Sequence, residues 1–176
     1  MTDPPPILLV DACMAITFGG AGHLELMLVL QSVQPAIGAR ARREVTREPA
    51  RTTVREAVHS GRLAVKAVDL SNEKEVKALA RFDAEPGFRG RGDAEVLALA
   101  VRHRYLVGTD DRAMRAAAAK VVGLTRLVST LDTLVWARRE SRLSATQAKR
   151  ILRELDIGPE IARRLKQAGK TLEDLA

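Results

Sequence analysis

Three short segments of this chain, two of them apolar, lead directly into acid. Ile7-Leu8-Leu9-Val10 ends on Asp11, Gly90-Arg91-Gly92 opens onto Asp93, and Tyr105-Leu106-Val107-Gly108-Thr109 ends on Asp110 and Asp111. Carboxylates placed at such strand ends and helix starts gather at the carboxyl edge of a parallel sheet, where open α/β folds bind their ligands. Gathered carboxylates repel one another and require a divalent cation or shared protons. The chemistry this pattern points to is metal-dependent hydrolysis of phosphodiesters.

Each acid also has a plainer role. Asp11 can cap the helix that follows it, a role compatible with binding. Asp93 stands in the first turn of a strong helix, where the dipole favours acids, and the same argument accounts for Glu95. In extended chain, neighbouring side chains point to opposite sides, so one of Asp110 and Asp111 is expected to face the cluster; the residues alone do not choose between them. Glu44, in Arg42-Arg43-Glu44-Val45, reads by itself as a member of a surface ion pair.

Other chemistries find little footing. The single cysteine, Cys13, excludes an internal disulfide and a cysteine-based zinc site, and reads as a small packed side chain. His23, His59 and His103 show no shared spacing. A haloacid-dehalogenase-type phosphatase needs a second aspartate two residues after the first, and position 13 is cysteine. No GxxxxGK[ST] loop is present. Aromatic residues make up 3% of the chain, too few for base stacking to be the main grip on nucleic acid, and Trp136 reads as helix core.

The elements that must position these acids follow from pattern. Residues 7–11 read as a buried strand, and a short helix can start at 12–17. Gly19-Gly20-Ala21-Gly22 reads as a loop, and 23–31 has helical periodicity. Pro35 and Gly38 read as punctuation before a basic helix over 39–48. A further helix runs from Pro49 to His59 and is stopped by Gly61 as a C′ glycine. Residues 62–70 read as a strand, Ser71 as the cap of a helix over 72–82, and 85–92 as a flexible loop. A helix over 93–104, a strand over 105–109 and a helix over 112–120 follow, with Val121-Val122 as a last short strand. From Ser129 the pattern is helical, with a Ser144…Gln147 capping box and a break at Gly158-Pro159. Strands alternating with helices imply a parallel sheet covered by helices. The expected organisation is one α/β domain over 1–128 with a helical extension, 129–176, packed on it. The extension's Ile151, Leu152, Leu155, Ile161 and Leu165 are expected to face the core.

The chain has 176 residues and a net charge of +7. Residues 1–39 contain no Lys or Arg, whereas 137–170 contain ten against four Asp/Glu, so that segment supplies +6 of the total. A basic surface beside an acidic cluster suits an anionic polymer. No apolar run is long enough to span a bilayer and no basic leader precedes the first apolar run, so a cytoplasmic location without membrane association is expected.

At these residues the sequence resembles the PIN-domain ribonucleases, especially the VapC-like toxins. The matching pieces are ILLVDACMAI, ARREV, GRGDAEVLALAVRH and LVGTDDRAMRAAA, in the family's order, over roughly residues 7–128. The resemblance implies a PIN-like three-layer α/β/α sandwich with a small parallel sheet. It also implies a Mg²⁺- or Mn²⁺-dependent endoribonuclease that cleaves single-stranded regions of RNA, the toxin of a toxin–antitoxin pair. Asp11, Glu44, Asp93 and Asp111 are then the catalytic, metal-binding set, with Asp110 as second choice to Asp111 and Thr109 as a supporting hydroxyl. Asp11-Ala12-Cys13 departs from the commoner aspartate-threonine-asparagine. Arg89 and Arg91 are candidate phosphate contacts. The implied partners are RNA, a small antitoxin and a second copy of the chain. The rival expectation is a non-catalytic nucleic-acid-binding or protein-interaction protein that uses the basic helical tail.

Overall fold

A computed structural model describes residues 4–85, 88 and 91–155, with Arg91 described by its backbone alone. It is an α/β fold built on a five-stranded, all-parallel sheet in the order β3-β2-β1-β4-β5. The strands are β1 (Ile7–Val10), β2 (Gln34–Gly38), β3 (Ala64–Lys66), β4 (Leu106–Gly108) and β5 (Leu127–Val128). Among the described residues nine α-helices accompany them: α1 (Ala12–Gly20), α2 (Leu24–Leu28), α3 (Ala39–Glu44), α4 (Ala50–His59), α5 (Glu73–Asp83), α6 (Arg91–His103), α7 (Arg112–Val122), α8 (Thr130–Arg139) and α9 (Ala145–Glu154). The arrangement is compatible with a three-layer α/β/α sandwich. Among the described residues no helix is long and apolar enough to cross a membrane.

Leu8, Leu9 and Val10 are completely buried, as expected of a central parallel strand covered on both faces. Each such side chain contributes roughly 1.5–3 kcal/mol, enough to hold β1 in place although it ends on a buried acid. Val10 lies opposite Ile37 on one side and Gly108 on the other. The chain runs outward from β1 through β2 to β3, then crosses back to β4 and β5 on the opposite side of β1. The order therefore reverses between β1 and β4. At such a switch point the carboxyl ends of the strands leave a crevice. Asp11 follows β1 there, and Thr109-Asp110-Asp111 follows β4.

Several elements differ from the sequence reading. Residues 34–38 form a strand in spite of Pro35. The Gln34 N–H turns toward β1 and donates to the Pro6 carbonyl at 2.9 Å, so position 35 faces the other side, where pairing with β3 begins only at Ala36. Proline is tolerated because no ladder hydrogen bond is asked of it. Gly19 and Gly20 continue α1 rather than forming a loop. A Cβ on Gly19 would meet the Ala50 Cα at 3.1 Å, so glycine there lets α1 and α4 pack closely. The basic helix stops at Glu44, because Val45 turns away to bury its side chain. The strand over 62–70 shrinks to Ala64–Lys66. The cap of α5 is Asn72, which accepts from the Lys74 and Glu75 N–H groups, while Ser71 hydrogen-bonds Asp69 instead. Val121 and Val122 are the last turn of α7, and the final strand is Leu127–Val128.

Other local readings hold. Gly61 has φ +73°, and the N–H groups of Gly61 and Arg62 reach back to Val58 and Ala57, a Schellman ending of α4. Ser144 and Gln147 form their capping box, as do Ser129 and Asp132. Ile151, Leu152 and Leu155 are buried in the hydrophobic core cluster, and α9 packs on α8. Ile161 and Leu165 lie outside the described residues.

Candidate active site

Asp11 terminates β1 and is the N-cap of α1. Its N–H extends the ladder to the Gly108 carbonyl at 2.9 Å, and its Oδ1 accepts from the Met14 N–H at 2.7 Å. The Thr109 hydroxyl, fully buried, donates to Oδ2. The same hydroxyl accepts from the Asp111 N–H at 3.1 Å. Thr109 thus ties the end of β1 to the turn after β4.

Asp111 repeats the design of Asp11. It caps α7, with Oδ1 accepting from the Met114 N–H at 2.7 Å. Asp110 accepts from the Thr130 N–H and hydroxyl at the start of α8. Asp110 acts electrostatically on Asp11, and Asp111 acts on Asp93. Both hold fixed polar partners and both still contribute negative charge to the crevice.

Asp93 enters from the first turn of α6, and Glu44 from the last residue of α3. Glu44 Oε1 accepts from the Gly92 N–H at 2.9 Å, so it caps the beginning of the helix that carries Asp93. This contact needs glycine. A Cβ at position 92 would lie 2.9 Å from the Ala41 Cα and 3.0 Å from both Glu44 carboxylate oxygens. Glu44 is therefore no isolated surface acid; it belongs to the same crevice as Asp93.

The electrostatics record the crowding. Burial pushes the Asp11 carboxyl up to about 7, against the hydrogen bonds from Met14 and Thr109, with repulsion from Asp93 and Asp110 adding to the rise. Burial raises Asp93 to about 6, helped by Asp111 and Glu44. Strongly raised carboxyls in a crevice mark a candidate functional site. Cys13, expected to be packed, is exposed at the rim. Partial desolvation, then repulsion from Asp11, Asp110, Asp111 and Asp93, pushes its thiol up to about 12.

The donor chemistry suits a hard divalent cation, since every candidate ligand is a carboxylate oxygen. Asp11, Glu44, Asp93 and Asp111 are the residues that would hold it. Among the described residues no three carboxylate, imidazole or thiol groups stand close enough to enclose an ion as they are. Arg89 lies outside the described residues, as does the side chain of Arg91.

Sequence reasoning missed Glu95. It is 3% exposed on α6, a helix buried nearly all round from Ala94 to Ala100. Its carboxylate accepts from the Arg40 N–H at 2.6 Å and from the Val68 N–H. Burial raises its pKa, opposed by those hydrogen bonds and by Arg40. Glu95 thereby fixes the start of α3, four residues before Glu44, against α6, two residues after Asp93. The available signal was an acid inside an unbroken apolar run, which a dipole argument does not explain. Arg115, which donates to the Thr109 carbonyl at 3.0 Å, and Thr130 were also missed. No family model matches the chain, and no curated protein matches it.

Proposed function

We propose that this chain is a PIN-like, Mg²⁺- or Mn²⁺-dependent endoribonuclease acting on single-stranded regions of RNA. The observation that carries the proposal is the electrostatic coupling of Asp93 to Asp11, Asp111 and Glu44 beside the sheet's switch point, with the Asp11 and Asp93 carboxyls raised toward neutrality. Burial first, and then repulsion among acids from separate elements, raises two of these carboxyls, a cost that folding alone does not need. The ordered resemblance of the motifs around them supports the same reading, including the role of toxin in a toxin–antitoxin pair.

In this mechanism Asp11, Asp93 and Asp111 would hold a divalent ion, and Glu44 would orient the attacking water or complete the ion's ligands. When bound, a divalent ion supplies an activated water and offsets the charge that builds on the phosphodiester. Thr109 fixes the Asp11 carboxylate through its hydroxyl, and the Met14 and Met114 N–H groups fix the two capping aspartates. In-line attack of water at phosphorus leaves a 5′-phosphate and a 3′-hydroxyl.

The test is cleavage of an end-labelled hairpin RNA by the purified chain with Mg²⁺ or Mn²⁺, and with EDTA. Cleavage in the loop that requires the ion and is lost in Asp93→Asn supports the reading. A folded Asp93→Asn variant that cuts at the wild-type rate, or cutting that survives EDTA, refutes it.

A further inference from the structure

Beside the acidic crevice lies a groove of opposite sign. It is formed by the end of α3 and the first two turns of α4, has a volume of about 410 Å³, and is lined by Arg42, Arg43, Arg51 and Arg55 over Val45 and Val54. The two valines are buried and form its floor, while all four arginines are exposed. None of the four forms an ion pair with a described carboxylate; Arg51 and Arg55 act on Glu48 only at longer range. Four guanidinium-bearing residues therefore line one groove. Guanidinium forks match phosphate oxygens in geometry as well as charge.

The groove's position selects among anionic ligands. Arg42 and Arg43 immediately precede Glu44, whose carboxylate accepts from Gly92 next to Asp93. The groove and the acidic crevice therefore share the last turn of α3.

We infer that the Arg42–Arg43–Arg51–Arg55 groove is a binding track for the sugar–phosphate backbone of single-stranded RNA. The track holds phosphates flanking the bond presented to the crevice. This inference rests on the proposed nuclease reading for the direction of the strand, but not for the binding itself. It places the grip on α3 and α4 rather than on the basic tail. The contacts are to phosphate, so they set affinity and register and carry no base preference.

The experiment measures binding of a short fluorescein-labelled oligouridylate to the full chain by fluorescence anisotropy, in EDTA, across a salt series. Arg51→Gln/Arg55→Gln removes two phosphate contacts distant from the acids. For single strands each contact contributes about 0.7 to the slope of log affinity against log salt, so the double variant loses about 1.4 in slope and about 25-fold in affinity near 0.1 M salt. Arg51→Lys/Arg55→Lys keeps both charges and recovers most of the slope. Thermal melts show whether the variants are folded, and the lysine pair separates lost charge from lost structure. Unchanged affinity and slope in the folded glutamine variant overturn the inference. So does loss of polyglutamate binding with oligouridylate binding intact, which assigns the groove to an acidic protein partner. The two readings fail separately. A wild type that binds through the groove and never cleaves removes the nuclease reading alone. A wild type that cleaves, with groove variants that bind normally, removes this one alone.

Discussion

Replacing Asp11 by asparagine is expected to stabilise the protein in EDTA while abolishing the proposed cleavage. The carboxyl is 1% exposed and its pKa rises from 3.8 to about 7, a difference worth ~4 kcal/mol between the two protonation states. A carboxyl whose folded pKa exceeds its unfolded value binds more protons in the folded state. Its contribution is therefore most favourable below about pH 4, is lost as pH rises toward 7, and stays ~4 kcal/mol less favourable above that. Asparagine keeps an acceptor for the Met14 N–H and carries no charge to desolvate. Its amide must replace the contact with the Thr109 hydroxyl, which offsets roughly 1 kcal/mol of the gain. The expected net effect at pH 8 is a stabilisation of ~2–4 kcal/mol, or about 5–15 °C in Tm for a domain of this size. At pH 4 the variant and wild type should melt together or nearly so. Differential scanning fluorimetry from pH 4 to 8 in EDTA measures this, with cleavage assayed in parallel. Adding Mn²⁺ at pH 8 should raise the Tm of the wild type and leave the variant nearly unmoved, since only an intact site binds the ion to the folded state. A variant whose Tm tracks the wild type at every pH would falsify the account of Asp11 as a strained, buried acid.

Three further outcomes follow from the same geometry. Gly92→Ala should cost ~1–3 kcal/mol by overpacking, because its Cβ meets α3 backbone at 2.9 Å, and should lower cleavage at least tenfold by displacing Glu44; chemical denaturation and a cleavage time course measure the two effects. Glu95→Ala strands the Arg40 and Val68 N–H groups and should cost ~1–3 kcal/mol, with a fall in cleavage that exceeds what the unfolded fraction explains; an unaltered rate in the folded population argues against Glu95 as a positioning residue. Cys13, although exposed, should react slowly with iodoacetamide at pH 8 because its thiol is held at about 12, and faster in Asp93→Asn, as followed by mass spectrometry.

Local signals in the chain were enough to specify much of the fold. The unbroken apolar run of β1, the C′ glycine at 61 and the Ser144 capping box each depend on neighbours within a few residues, and each formed as its pattern implied. The acids at strand ends were legible for the same reason, since apolar runs leading into Asp11 and Asp110 place those residues at an edge. What the chain alone left open depended on partners distant in sequence. Pro35 sits within a strand because β3 begins one position later, a fact of register. Glu44 resembles any surface glutamate until α3 docks on α6 and Gly92 offers its N–H. Glu95 looked like a dipole acid until burial and the N–H groups of Arg40 and Val68 gave it another role. Asp110 and Asp111 could not be ranked because helix capping and charge clustering coexist once α7 and α8 both start at the same edge. Residue type and local pattern determined which groups reach the crevice from β1 and β4. Only tertiary packing decided how α3, α6 and the arginine groove join them, because contacts spanning 48 or more residues leave no periodic trace in the sequence.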